Sequence, residues 1–340
     1  MRKAKKEVLM RPFKYTRAAD QASAARTVST NPKAKFLAGG TNLLDLMKED
    51  VAQPDTLVDL SAIKVTAVKS MASGVSIHAL GKNAETANHP LIRQQFPLLA
   101  QAILAGASAQ IRNMATNGGN LNQRTRCPYF YEVSTPCNKR LPGSGCSALK
   151  GFNKLHAIFG WSEACVAVHP SDMCVALAAL DAVVKVEGVN GPRTIDFGEY
   201  HRLPGDAPEQ DNTLQRDEII TSIELPKNDF AATSYYLKVR DRSSYAFALV
   251  SVAAAFNTIK GSIGKARIAL GSVAHKPWRA VAAEEYLFGK PPIEEHFKEA
   301  AALAMKEAMP LEHNLYKVEL TRRAIVRALM QAAKGGTHAS

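Results

Sequence analysis

A chain of 340 residues has room for two or three domains and a core that needs no disulfide staples, and its 46% hydrophobic and 22% charged residues exclude wholesale disorder. The formal net charge of +12 is scattered along the chain without the basic and aromatic stripes of a nucleic-acid module, so it points to an anionic cofactor or an acidic partner subunit. The basic amino terminus is followed by no apolar run and reads as an ordinary tail, while the longest uncharged stretches, 94–111 and 243–259, are interrupted by polar residues; neither an export signal nor membrane insertion is expected.

The first segment alternates strand and helix signals: a strand over 34–37, a helix over 42–48 and a strand over 56–59, with Gly39-Gly40 marking the strand-to-helix turn. A second block brings a strand over 75–80 and a helix over 96–105 that stops at Gly106. Residues 122–168 then change character, holding four of the five cysteines and little periodicity, and read as an insertion. Regular structure returns with an apolar helix capped by Ser171 and running through Leu180, then strands over 182–187 and 218–225 before Pro226. Past a linker over 227–233, a strand over 235–239, an apolar segment over 247–256 and a strand over 266–270 lead into two helices. The last of these, over 315–333, places Leu315, Val318, Ile325 and Leu329 on one face and stops at Gly335-Gly336. The fold class is therefore α+β, divided as 1–62, 63–228 with the insertion at 122–168, and 232–336.

Two glycine pairs carry chemistry. In Phe36-Leu37-Ala38-Gly39-Gly40-Thr41-Asn42-Leu43 a strand runs into a turn whose backbone N–H groups can face outward and suit a pyrophosphate, with Thr41 and Asn42 adding side-chain donors. Ala115-Thr116-Asn117-Gly118-Gly119-Asn120-Leu121 supplies a second such turn. Neither matches a Gly-x-Gly-x-x-Gly fingerprint or a P-loop, so a Rossmann nicotinamide site is unsupported.

Cys127, Cys137, Cys146 and Cys165 fall within 39 residues, with gaps of nine, eight and eighteen, a set suited to four thiolate ligands. Soft thiolates select an iron–sulfur cluster or zinc; the close Cys-x-x-Cys pairs common in zinc sites are absent, and disulfide pairing is the third alternative. Arg124, Arg126, Lys139 and Arg140 flank the cysteines and would offset thiolate charge, while Gly143 and Gly145 would let the chain wrap closely. Cys174, inside the apolar helix, reads as a core thiol, and His156 and His169 are left outside the metal set.

The two glycine turns, together with His169-Pro170-Ser171-Asp172-Met173, Leu180-Asp181-Ala182, the run from Asp217 to Pro226 and Arg267-Ile268-Ala269-Leu270-Gly271-Ser272-Val273, resemble the FAD-binding medium subunits of the xanthine dehydrogenase and molybdenum hydroxylase family over nearly the whole chain. Cys127-Pro128-Tyr129-Phe130-Tyr131, the run from Pro136 to Cys146 and Leu237-Lys238-Val239-Arg240-Asp241-Arg242 are most similar to the FAD and iron–sulfur subunits of bacterial periplasmic aldehyde oxidoreductases. The resemblance implies a two-subdomain FAD-binding fold of the molybdenum hydroxylase, vanillyl-alcohol-oxidase-like type with a C-terminal α+β domain. It implies FAD held by Phe36 to Leu43, Thr116, Gly119 and Asn120, with Asp172, Ile220 and Lys238 as further flavin contacts, and a [4Fe-4S] cluster on the four cysteines. Residues 122–170 stand between turn and Ser-Asp motif, which adjoin in most of the family, and Gln123 replaces a common hydroxyl residue; an insertion that loops out can keep its ends adjacent.

No acid–base pair for substrate chemistry is evident, so no residue is assigned as catalytic. The expected role is an oxidoreductase subunit that passes electrons from a [2Fe-2S] small subunit, beside a molybdopterin large subunit, through FAD to an external acceptor. A stand-alone flavin dehydrogenase and a zinc-stapled basic binding protein without flavin are the competing readings. The expected location is the periplasm, reached with a signal-bearing partner, and the cytoplasm is the alternative.

Overall fold

The computed structural model describes residues 10–335, so most of the amino-terminal tail and Gly336 lie outside the described residues. Among the described residues, twelve strands form three sheets. The first is parallel, in the order β1 (Lys14–Arg17), β3 (Thr56–Asp59), β2 (Ala34–Leu37). Helix Gln21–Thr30 connects β1 to β2, and Asp20 begins it with a reciprocal capping box to Ser23. Neither this helix nor β1 is signalled by the sequence; the side chains of β1 are exposed and show no apolar alternation. The next pair, β2 and helix Leu43–Lys48, falls where expected.

A second, antiparallel sheet contains β4 (Val68–Met71), β5 (Gly74–His78), β6 (Val183–Gly188), β7 (Gly191–Asp196) and β8 (Ile219–Pro226), in the order β4-β5-β8-β6-β7. About a hundred residues separate β5 from β6, and β8 returns between them, so the helices and the cysteine-rich segment emerge from the middle of one sheet. Helix Asp172–Ala179 is buried on every side and is capped by Ser171, whose Oγ accepts from the Cys174 N–H at 3.1 Å.

The third sheet is also antiparallel, with β9 (Ser234–Val239), β10 (Val250–Ile259), β11 (Ser262–Gly271) and β12 (Trp278–Arg279) in the order β12-β11-β10-β9. Val250, Val252, Ala254 and Phe256 face the carboxy-terminal helices, whereas Ala253 and Ala255 join the core around helices Pro97–Ala105 and Asp172–Ala179. Burial on both faces explains why the 247–256 run shows no alternation. Three helices follow instead of two: Val281–Leu287, Glu294–Ala304 and Tyr316–Ala333. The last buries Ile325 and Leu329 but leaves Leu315 65% exposed, and its inner face includes Lys317 and Thr321. No helix among the described residues is long and apolar enough to cross a membrane.

Candidate functional site

The two glycine turns meet in space. Gly40 has φ +72°, in the left-handed region where glycine is favoured, and a Cβ on Gly39 would lie 2.1 Å from the Met114 carbonyl oxygen. That close approach seats the first turn against the segment leading into the second. The backbone N–H groups of Gly39, Gly40 and Thr41 find no acceptor among the described residues, and the buried Asn42 Nδ2 is likewise without a partner. Asn42 is fixed from its other end, where its Oδ1 accepts from the Arg124 N–H at 2.9 Å.

The second turn is held by an amide network. Thr116 caps helix Asn117–Leu121 by accepting from the Gly119 N–H at 3.2 Å. Asn117 donates to the His78 carbonyl and to Thr86 Oγ1, while Asn120 donates to Asn83 Oδ1 at 2.7 Å and accepts from Ser171 at 2.6 Å and Gln123 at 2.7 Å. His169 and His201 both direct Nε2 at the Leu121 carbonyl, at 3.3 and 2.9 Å. Burial drives His201 down to about 4 and His169 well below its ordinary value, so both rings act as neutral donors at the exit of the turn. The segment 122–168 therefore loops out between ends that stay in contact.

These turns border a cavity of about 640 Å³. Of the residues assigned to FAD, Thr41, Asn42, Gly119, Asn120, Asp172 and Lys238 line it. Phe36 to Gly40, Leu43, Thr116 and Ile220 are not among its lining residues; Ile220 packs against Gly118, whose Cβ position lies 3.6 Å from Ile220 Cβ. Asp172 and Lys238 form a buried ion pair at 2.8 Å, completed by Tyr236, which donates to Asp172 at 2.7 Å, and by the Ala105 carbonyl, which accepts from Lys238 at 3.1 Å. This pair ties β9 to helix Asp172–Ala179 at the cavity wall. Beyond β9, Asp241, Arg242 and Tyr245 to Leu249 add a further wall.

All four cysteines of the insertion line one smaller cavity, and all five cysteines are free thiols. Cys137 and Cys146 face each other across an antiparallel bridge, stabilised where the Asn138 N–H donates to the Gly145 carbonyl at 2.7 Å. Positive φ values at Gly143 and Gly145 close the loop between them. Backbone N–H groups are aimed at sulfur: those of Tyr129 and Phe130 at Cys127, those of Ala148, Leu149 and Val166 at Cys146, and that of Ala167 at Cys165. A hydrogen bond between Cys146 and Cys165 lowers the Cys146 thiol to about 6 and, with burial, raises Cys165, while burial raises Cys127 to about 12. Convergent thiols surrounded by N–H donors fit a thiolate-ligated metal centre. Cys174 lies apart in the core, where burial raises it to about 12.

The basic residues around the cysteines do not act as four free charges. Lys139, with a side chain only 2% exposed, and Arg124 share Asp211 at 2.5 and 2.6 Å, and their charges hold its carboxyl down to about 2 against burial. Arg126 pairs with Asp45 at 2.9 Å, and Arg140 donates to the carbonyls of Tyr129, Phe130, Val133 and Thr135. The expected compensation of thiolate charge is therefore partly consumed by Asp211 and Asp45, acids too distant in sequence to be paired by inspection.

His156, which the sequence places outside the ligand set, nevertheless holds its Nε2 3.1 Å from Cys127 Sγ. Burial, reinforced by the nearby Lys317, lowers its ring to about 4. The carboxy-terminal helix and the turn before it grip this segment: Lys317 donates to the His156 and Ser272 carbonyls at 3.0 and 2.8 Å, and Asn314 donates to the His156 and Ala157 carbonyls at 3.2 and 3.1 Å. No local sequence signal links positions 127, 156 and 317.

A family model described as the FAD binding domain in molybdopterin dehydrogenase matches residues 11–228, and one described as the CO dehydrogenase flavoprotein C-terminal domain matches residues 235–332. The chain belongs to the FAD-binding medium subunits of the molybdenum hydroxylases. It is 45% identical over 325 residues to the aldehyde oxidoreductase FAD-binding subunit PaoB of Escherichia coli K12, covering 95% of this chain and 99% of that one. The glyceraldehyde dehydrogenase medium chain of Sulfolobus acidocaldarius is 25% identical, with 94% and 98% coverage. Among solved structures, carbon monoxide dehydrogenase from Hydrogenophaga pseudoflava superposes with a TM-score of 0.75 at 25% identity, covering 96% of this chain and 99% of that one. Quinoline 2-oxidoreductase from Pseudomonas putida 86 shares the fold, with a TM-score of 0.74 at 22% identity, covering 97% and 100%. Membership makes this medium subunit a FAD-binding component of an oxidoreductase, with the α+β architecture expected.

Proposed function

We propose that this subunit is the electron outlet of a heterotrimeric molybdenum aldehyde oxidoreductase, holding FAD in the large cavity and a [4Fe-4S] cluster on Cys127, Cys137, Cys146 and Cys165. The observation that carries this reading is the convergence of four thiols on one cavity whose member Cys127 also borders the cavity beneath the glycine turns. When bound, flavin exchanges electrons singly or in pairs and a thiolate-held cluster exchanges them singly, which suits transfer from a [2Fe-2S] small subunit to an external acceptor. Aldehyde chemistry is assigned to a molybdopterin large subunit.

The chain's own part is binding, orientation and charge. The unpaired N–H groups of Gly39 to Thr41 and the Asn42 amide are donors for pyrophosphate oxygens, while the Asn83–Asn117–Asn120 network keeps the second turn from yielding. The Asp172–Lys238 pair fixes one wall of the flavin cavity, and the N–H groups around sulfur favour thiolate over thiol. We assign residues 1–62 and 63–228 to the two flavin-binding subdomains, 122–168 to the cluster and 232–336 to the carboxy-terminal domain. The similarity to an aldehyde oxidoreductase subunit supports this substrate class. Periplasmic residence, by export with a signal-bearing partner, completes the proposal.

The test is the purified complex: two co-purifying subunits, a flavin spectrum and, beyond the iron of the partner's [2Fe-2S] clusters, about four irons per copy of this chain. Cys137→Ser should release iron and retain FAD. A colourless chain carrying one zinc would overturn the cluster assignment, and isolation without partners but with aldehyde activity would overturn the assignment as an outlet.

A further inference from the structure

We propose that His156 is a positioning residue for the cysteine centre, donating its Nε2–H to Cys127 Sγ from the side of the larger cavity. The inference rests on the cluster reading above and concerns how one ligand is held. Cys127 borders both cavities, and His156, 3% exposed, borders the larger. The 3.1 Å separation between Nε2 and Sγ is within hydrogen-bond reach for sulfur. The other ring nitrogen, Nδ1, is buried without a partner among the described residues, where the ring's single polar contact is the thiol.

The backbone carrying this ring is unusually constrained. The His156 carbonyl accepts from both Lys317 and Asn314, its N–H donates to the Asn153 carbonyl at 3.1 Å, and Asn153 Oδ1 in turn accepts from the His313 N–H at 3.0 Å. Lys317 and Asn314 are themselves fully buried. Two segments more than 150 residues apart in sequence thus fix one imidazole against one cysteine. That is the arrangement by which an outer-shell donor orients a ligand and adjusts its electron density. A hydrogen bond to a ligating sulfur stabilises the additional negative charge of a reduced cluster, so its removal should shift the midpoint potential to more negative values.

The experiment compares wild type, His156→Leu and His156→Gln in the purified complex, measuring iron and flavin content, the electron paramagnetic resonance spectrum of the reduced iron centre and its midpoint potential. We expect His156→Leu to retain flavin and iron with an altered spectrum and a more negative potential, and His156→Gln, whose amide can donate, to recover part of the shift. Iron retained with an unchanged spectrum and potential in His156→Leu would overturn the positioning role while leaving the cluster reading intact. Should His156→Leu lose iron, retention by His156→Gln sustains the proposal and equal loss overturns it. A wild-type complex without iron beyond its partner's clusters would remove the cluster reading and this inference together.

Discussion

The Asp172–Lys238 pair gives the most discriminating stability test, because it is buried, joins β9 to helix Asp172–Ala179 and borders the large cavity. Lys238→Met removes the cation while its stem still fills the site, leaving Asp172 with only the Tyr236 hydroxyl as a partner. Breaking one side of a buried ion pair costs about 3–5 kcal/mol. An unfolding entropy of about 2.1 cal/mol/K per residue, applied to 340 residues, gives about 0.7 kcal/mol/K, so Tm should fall by about 4–7 °C if the chain unfolds as one unit. Bound flavin adds its own stabilisation, so scanning calorimetry belongs on both flavin-stripped and flavin-loaded protein. Asp172→Asn should also destabilise, by stranding the ammonium. The double variant Asp172→Asn with Lys238→Met removes both charges and should recover more than half of the loss. A fall below about 1 °C in stripped Lys238→Met, or a double variant as unstable as the sum of the singles, would refute the argument that the pair is an integrated buried unit.

The remaining expectations concern the turns and two buried charges. Gly39→Ala places a Cβ 2.1 Å from the Met114 carbonyl and must push the turns apart; flavin affinity should fall at least about tenfold in equilibrium titration, with the far-ultraviolet circular dichroism spectrum retained. Lys317 titrates near 7 in the folded chain because burial opposes its charge, whereas its ordinary value is 10.5. Between these values the unfolded chain binds the additional proton, so this group makes stability rise with pH from about 7 to about 10.5, by a few kcal/mol at most. Urea midpoints measured across that window should climb in wild type, and the Lys317→Met difference should show whether this residue is the source. Asp211, held at about 2 against an ordinary 3.8, is linked in the same direction at lower pH: its contribution is complete above about 3.8 and is lost as pH falls toward 2. Asp211→Asn should destabilise by about 3–5 kcal/mol at neutral pH by leaving Lys139 buried without its carboxylate, which thermal unfolding will detect.

What could be read in the sequence follows the range of the interactions involved. The strand at 34–37, the Ser171 cap and the helix stop at Gly106 depend on neighbouring residues, and all appear where local chemistry places them. β1 and the two-sided strand β10 were not legible as strands, because an exposed parallel strand lacks alternation and a doubly buried one is apolar throughout. Leu315 was placed on the inner face by periodicity alone. Instead the inner face carries Lys317, whose burial is tolerated because carbonyls of the insertion and of Ser272 accept from it. A helical pattern reports only the side chains of the helix and carries no information about acceptors supplied by another segment.

The same distinction accounts for the candidate site. The glycine turns and cysteines stand out because each is a local departure from ordinary composition, but their proximity depends on Gly39 meeting Met114 and on Cys127 bordering two cavities. The insertion can occupy that position because its ends are already paired: Ser171 bonds to Asn120, and His169 and His201 converge on Leu121. A long excursion between such ends adds chain without separating the residues around Asn120 and Leu121 from those around Ser171, since loop-closure cost grows only slowly with length. Its far end is then gripped by Asn314 and Lys317 of the carboxy-terminal region. The cysteine segment is thus fastened at both its root and its tip, which is how a stretch of so little regular structure can hold four thiols in one place.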